Sequence, residues 1–177
     1  MRIADEVRIL VRQRAGYTCE FCGVTETDTG GELTVDHFQP QSQGGVDALD
    51  NLIYACHRCN QYKLDYWPVE PEDPHLWNPR NEPASAHFVE TSDGTLRPLT
   101  ATGAFTLARM RLNRSSLVAH RQRKLAQVEE IRLLTKYKEL VELHQQLNHQ
   151  LSVLMDEQSQ LLAEQRELLK RLLHRRD

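Results

Sequence analysis

All four cysteines of this 177-residue chain fall into two pairs of the same form, Cys19-x-x-Cys22 and Cys56-x-x-Cys59, with 33 residues between the pairs. A two-residue gap lets two thiolates of one short turn reach the same ion. Two such turns complete a tetrahedral four-sulfur site with no position open to water. The spacing therefore predicts a structural zinc on Cys19, Cys22, Cys56 and Cys59, which ties two distant parts of the chain together. Two disulfides are the rival arrangement. The chain starts Met1-Arg2-Ile3-Ala4-Asp5-Glu6 without an apolar signal segment, so a cytoplasmic location is expected, where reduced thiols bind metal.

No apolar run approaches the length of a membrane span, and 40% hydrophobic content suits one modest soluble domain plus an extension. The net charge of -3 hides an uneven distribution: residues 1–103 hold 8 Lys/Arg against 16 Asp/Glu, and residues 104–177 hold 14 against 9. An acidic first part suits carboxylates gathered around a divalent cation, which offsets their charge. Contact with a polyanion then falls to local cations and to the basic second part. Every Gly and Pro lies at or before Gly103, so residues 104–177 form a segment without helix breakers.

Along the first part, Val7, Leu10, Val11 and Ala15 recur at helical spacing, with Asp5 and Glu6 where negative charge suits a helix start. This predicts a helix over 4–14 that ends at Gly16. Residues 17–23 read as a metal-binding turn and 25–31 as a polar loop. Leu33-Thr34-Val35-Asp36-His37-Phe38 reads as a short strand, with Leu33, Val35 and His37 on one face and Thr34, Asp36 and Phe38 on the other. A long loop through Pro40 and Gly44-Gly45 leads to a second strand at 51–55, which runs into Cys56, and a helix is predicted over 58–64. Residues 66–100 carry six prolines and should hold only short regular structure. There Trp67, Trp77 and Phe88 are expected to cover the small core, with base stacking as the alternative, and His87 to serve packing or the surface.

Taken together, Cys19-x-x-Cys22, Leu33-Thr34-Val35-Asp36-His37-Phe38-x-Pro40, Gly44-Gly45, Asn51-Leu52 and Cys56-x-x-Cys59-Asn60-x-x-Lys63 resemble the zinc-flanked HNH endonuclease family, over about residues 17–64. Residues 76–100, with Leu76-Trp77-Asn78-Pro79-Arg80, His87-Phe88, Gly94 and Leu99-Thr100, are similar to the tail of small bacterial members. The resemblance implies an α+β fold: a small ββα-metal nuclease domain with a four-cysteine zinc site, followed by a long helical coiled-coil segment. The expected division is 1–103 (core 17–64, Pro-rich extension 65–103) and 104–177.

It also implies roles. His37 would take the proton from an attacking water, a task that suits an imidazole titrating near neutrality. Asp36 and Asn60 would hold a catalytic cation, and their oxygen donors favour Mg2+ or Mn2+ over zinc. Because a regular strand turns Asp36 and His37 to opposite faces, a distorted strand end is expected there. Asn60 stands where many members have a second histidine, so this is an HNN version of the signature, and Asn51 would be a positioning residue. Lys63, Arg58 and His57 would contact nucleic acid, DNA being the implied substrate. Taken singly, each residue has a plainer reading: Asp36-His37 as a surface pair, Asn60 as a helix cap, Lys63 as a solvated side chain, His57 as a replacement for a thiolate.

In the second part, Leu133, Leu140, Leu147, Leu154, Leu161 and Leu168 recur every seven residues, which places Tyr137, His144, Leu151, Gln158, Gln165 and Leu172 at the companion core position. One helix over 105–175 would extend ~100 Å at 1.5 Å per residue, too long to remain unpaired. A homodimer or higher homo-oligomer through 120–175 is expected, with a hairpin broken around 147–156 as the alternative. Arg109, Arg111, Arg114, Arg121, Arg123 and Lys124 cluster at the start of this part, as Lys170, Arg171, Arg175 and Arg176 do at its end. The first cluster could reach DNA phosphates or form a solvated face. The reading from another functional class is a zinc-stabilised nucleic-acid- or protein-binding module without turnover.

Overall fold

The structure, a computed structural model, describes residues 3–173. It divides into a compact unit that ends at Leu125 and a second unit that begins at Ala126.

In the compact unit, helix α1 (Asp5–Arg14) carries Asp5 and Glu6 in its first turn and Arg12 and Arg14 in its last, both in the sense the helix dipole favours. It ends as Gly16 and Tyr17 both take positive φ. The turn that follows is closed by Cys19 N–H donating to the Val24 carbonyl and Gly23 N–H to that of Cys19. A short helix α2 (Glu26–Thr29) occupies part of the expected polar loop. Thr25 and Asp28 form a reciprocal capping box there, which supplies the start that so short a helix needs.

Strands β1 (Thr34–His37) and β2 (Leu52–Ala55) pair antiparallel, Thr34 opposite Ala55 and His37 opposite Leu52. All four β2 residues are buried, as a continuous apolar run should be. Helix α3 (His57–Lys63) follows directly, with the Cys56 sulfur accepting the Cys59 N–H at its N-terminus.

The Pro-rich stretch is organised around Trp77. Its ring is edge-on to Phe21 at 6.2 Å and to Phe88 at 5.4 Å, and its backbone N–H donates to Thr106 Oγ1 at 2.7 Å. Trp77 and Phe88 are buried, while Trp67 is partly exposed against Phe38. Strands β3 (Phe88–Glu90) and β4 (Leu96–Pro98) form a hairpin whose turn is held by Asp93. Thr91 and Thr95 donate to that carboxylate and hold it down to about 2. His87 is buried, bonded through Nδ1 to Thr100 Oγ1 and through Nε2 to Glu82.

The breaker-free second part holds two helices, α4 (Ala101–Arg109) and α5 (Ser115–Leu173). Gly103 lies inside α4, where a Cβ would come within 2.4 Å of the His87 carbonyl oxygen. The break at 110–114 has a packing cause. Met110 and Leu112 are both fully buried, and residues two apart on a helix point to opposite sides, so no continuous helix could bury both in one core. Arg111, between them, takes φ +48°. The first turns of α5 belong to the compact unit, where Leu117, His120 and Arg121 are buried. Arg121 donates to the carbonyls of Gly94 and Leu112.

The second unit is helical from residue 126 to Leu173, without a break at 147–156. Every side chain described in it, 126–171, is exposed. The Leu172 side chain, Arg175 and Arg176 lie outside the described residues. Among the described residues, no helix is long and apolar enough to cross a membrane.

Candidate metal centre and active site

Cys19 and Cys22 come from the turn between α1 and α2, Cys56 from the end of β2, and Cys59 from the first turn of α3. Their sulfurs all lie within 4.8 Å of one another, with Cys22 and Cys56 at 3.7 Å. A tetrahedral ion with bonds of about 2.3 Å to sulfur requires edges of ~3.8 Å, so the four cysteines are positioned to bind zinc. Arg114 Nη2 lies 3.8 Å from Cys59 Sγ, a cation set against the excess negative charge of four thiolates on a divalent ion.

Glu20, between the first two cysteines, fixes that turn to its surroundings. Its carboxylate accepts the Tyr54 backbone N–H at 2.6 Å and meets Arg80 at 2.5 Å. The Tyr54 hydroxyl in turn accepts the Leu33 N–H and donates to Glu26. Burial first, and then Glu26, push this phenol up to about 12. Glu26 also takes a two-pronged contact from Arg12, at 2.6 and 2.7 Å. That contact first, and the Tyr54 hydroxyl second, hold its carboxyl below the ordinary range.

The signature residues lie around the β1–β2–α3 unit. β1 is regular to its end, with Asp36 opposite Ile53 and His37 opposite Leu52, and the pairing continues as Phe38 N–H donates to the Asn51 carbonyl at 2.7 Å. The distortion expected at the strand end is absent, and the two side chains stay on opposite faces with different neighbours. Asp36 turns toward α3, where Lys63 Nζ lies 3.0 Å from its Oδ2. His37 turns toward the loop, where its Nε2 lies 2.7 Å from Asp47 Oδ1.

Asn51 fastens both limbs of the loop. Its Oδ1 accepts the Gln39 N–H at 2.8 Å, and its Nδ2 donates to the carbonyls of Gln39 and Val46. Gly45 allows this closure, since a Cβ there would fall 1.8 Å from the Gln39 carbonyl oxygen. Asn60 and Lys63 are neighbours one turn apart on α3, so the contact from Lys63 to Asp36 places Asn60 on the side of α3 that faces β1.

Of the expected nucleic-acid contacts, His57 and Arg58 are exposed in the first turn of α3, whereas Lys63 is 1% exposed with its ammonium on Asp36. His57 and Arg58 border a cavity of about 410 Å3 that Arg114 and Arg123 also line, beside Asp28 and Glu32. Other members of the arginine cluster are engaged internally. Arg109 stacks over Tyr66 at 4.1 Å and Arg111 over Tyr62 at 5.0 Å. The sequence reading missed Glu20, Glu26 and Asp47, whose contacts to Tyr54 and Arg80, to Arg12, and to His37 span 10 or more residues and leave no periodic mark.

Residues 19–65 match the HNH endonuclease family. A stretch of 61 residues is 39% identical to the CRISPR-associated endonuclease Cas9 of Corynebacterium diphtheriae, covering 34% of this chain and 5% of that protein. The chain thus spans a small fraction of the length of that relative. No solved structure matches.

Proposed function

We infer that the chain is a metal-dependent endonuclease that hydrolyses DNA phosphodiester bonds, with self-association through the helix from residue 126 onward. What supports the reading is the coincidence of the family match over residues 19–65 with His37 at the end of β1, Asp36 facing α3, and Asn60 one turn before Lys63 on the side of that helix turned to β1.

His37 is the general base. Asp36 and Asn60 offer a carboxylate and an amide oxygen, the hard donors that Mg2+ or Mn2+ prefers. A divalent ion bound there supplies charge neutralisation at the phosphate. Lys63 brings positive charge to the same carboxylate from α3. Asn51 holds the loop in register with β1, and His57 and Arg58 present exposed donors to the phosphate backbone. By family resemblance the products carry 5′-phosphate and 3′-hydroxyl ends.

In the second unit, the six leucines at sevenfold spacing are each between 58% and 62% exposed. So long an apolar stripe left open on a single helix favours pairing with another copy.

Incubating the full chain with supercoiled plasmid and Mg2+ or Mn2+ should give nicked and linear products. His37→Ala should reduce them to a slow residual rate. Binding without cleavage across several divalent ions would favour the non-enzymatic module, and undiminished nicking by the variant would remove His37 as base.

A further inference from the structure

Asp47 belongs to none of the signature positions, yet it makes the closest contact of the His37 ring given by the structure, 2.7 Å from Oδ1 to Nε2. The contact is built in. The His37 side chain is 12% exposed, and the same Asp47 oxygen accepts from Gln41 Nε2 at 3.0 Å. The carbonyl of Val46, one residue before, is held by Asn51 Nδ2 at 3.0 Å. The loop that carries Asp47 is therefore fastened through Asn51, just before β2, to Gln39, just after β1. Its carboxyl lies below the ordinary range, first because of the hydrogen bond to His37, so it is an ionised acceptor at neutral pH.

A neutral imidazole carries one N–H and one lone pair, and whichever nitrogen is engaged decides what the other can do. An Nε2–H committed to a carboxylate leaves Nδ1 bare. We propose, resting on the endonuclease reading above, that Asp47 is the positioning residue of the general base: it accepts the Nε2 proton of His37 and thereby fixes the ring and keeps Nδ1 free for the attacking water. In the reaction, the bond from water oxygen to phosphorus forms as the bond from phosphorus to O3′ breaks. The water proton passes to Nδ1, the O3′ leaving group takes a proton from solvent, and the imidazolium returns its own to solvent. Asp47 keeps its charge throughout and stabilises the imidazolium.

The test uses the full chain, with Asp47→Asn as the main variant. An asparagine preserves shape and can still accept from Gln41, but its amide can donate to Nε2 and so hold the wrong tautomer. Single-turnover nicking in Mn2+ should fall ~10- to 100-fold, with zinc content and DNA affinity, measured without divalent ion, unchanged. Asp47→Ala should fall comparably. In a His37→Ala background either substitution should cost nothing further. An active wild type with an equally active Asp47→Asn overturns the proposal, as does a full additional loss in the His37→Ala background.

A spectroscopic arm needs no activity. In 15N-labelled protein a protected imidazole Nε2–H resonance, identified by its loss in His37→Ala, should be present in the wild type and lost in Asp47→Ala. Its absence from the wild type overturns the contact. A wild type that shows the resonance but cuts no nucleic acid sinks the endonuclease reading and the catalytic role of Asp47 with it, while the contact itself stands.

Discussion

The compact unit and the second unit stabilise helices by opposite means. Up to Leu125 the helices α1 to α4 are short, and partners distant in sequence secure them: α1 through Arg12 to Glu26 and Arg14 to the Leu52 carbonyl, α2 through Glu26 to Arg12 and Tyr54, α3 through Lys63 to Asp36, α4 through Thr106 to Trp77. From Ala126 the helix is long, the contacts given for its side chains are within one turn, such as Arg132 with Glu129 and Asn148 with His144, and every described side chain is exposed. Ionic and polar contacts of this local kind contribute only a few tenths of a kcal/mol each. The first unit is thus closed within one chain, whereas the second leaves its apolar stripe exposed.

The sharpest break in the comparison should come from the metal. Cys59→Ser, or chelation, should unfold the compact unit, read as loss of buried tryptophan fluorescence, since both tryptophans, Trp67 and Trp77, lie there. The helical signal of residues 126–173 should survive. Retained tryptophan burial after chelation would show that the core stands without the ion.

Substituting Leu147 and Leu154 together with aspartate should do the reverse, lowering the sedimenting mass to that of one chain while leaving the thermal midpoint of the compact unit in place. An unchanged mass would remove the leucine stripe as the associating surface. A smaller effect is expected from Leu112→Ala, about 2–5 kcal/mol of compact-unit stability by denaturant titration, because Leu112 is fully buried and lies at the break that ends the α4 pattern.

The smallest effect concerns pH. The folded-state pKa of Glu26 is depressed, so its contribution is present above the unfolded carboxylate value and is lost as pH falls through the folded one. Glu26→Gln should therefore lower the neutral plateau of the stability curve and flatten its acid limb, the two curves converging at low pH. A parallel curve at every pH would show that the contact with Arg12 contributes nothing that titrates.

The same contrast explains what could be read from the sequence. β1, β2 and α3 were legible because alternation, an apolar run and the cysteine spacing are local patterns. The four zinc positions needed no tertiary information at all. Glu20 and Asp47 were not legible, because a charged residue in a loop looks alike whether its partner is a distant ring or solvent. Helix α2 escaped because its capping box uses Asp28 where glutamate is usual, within a stretch of turn formers. The break at 110–114 escaped because it contains no glycine or proline, and its cause is the burial of Met110 and Leu112 on one side. The arginine cluster was read as a surface, yet Arg109, Arg111, Arg114 and Arg121 are engaged by the compact unit itself.

The thiolate at the head of α3 has a kinetic consequence. A seven-residue helix cannot nucleate alone in water, and its first turn is capped by Cys56 Sγ, a sulfur of the four-cysteine cluster. α3 should therefore appear late in refolding, at the rate at which both cysteine pairs capture one ion, and Lys63 should reach Asp36 only then. In a metal-starved cell, newly made chains would accumulate with the helix already formed from residue 126 and the contact between β1 and α3 not yet made.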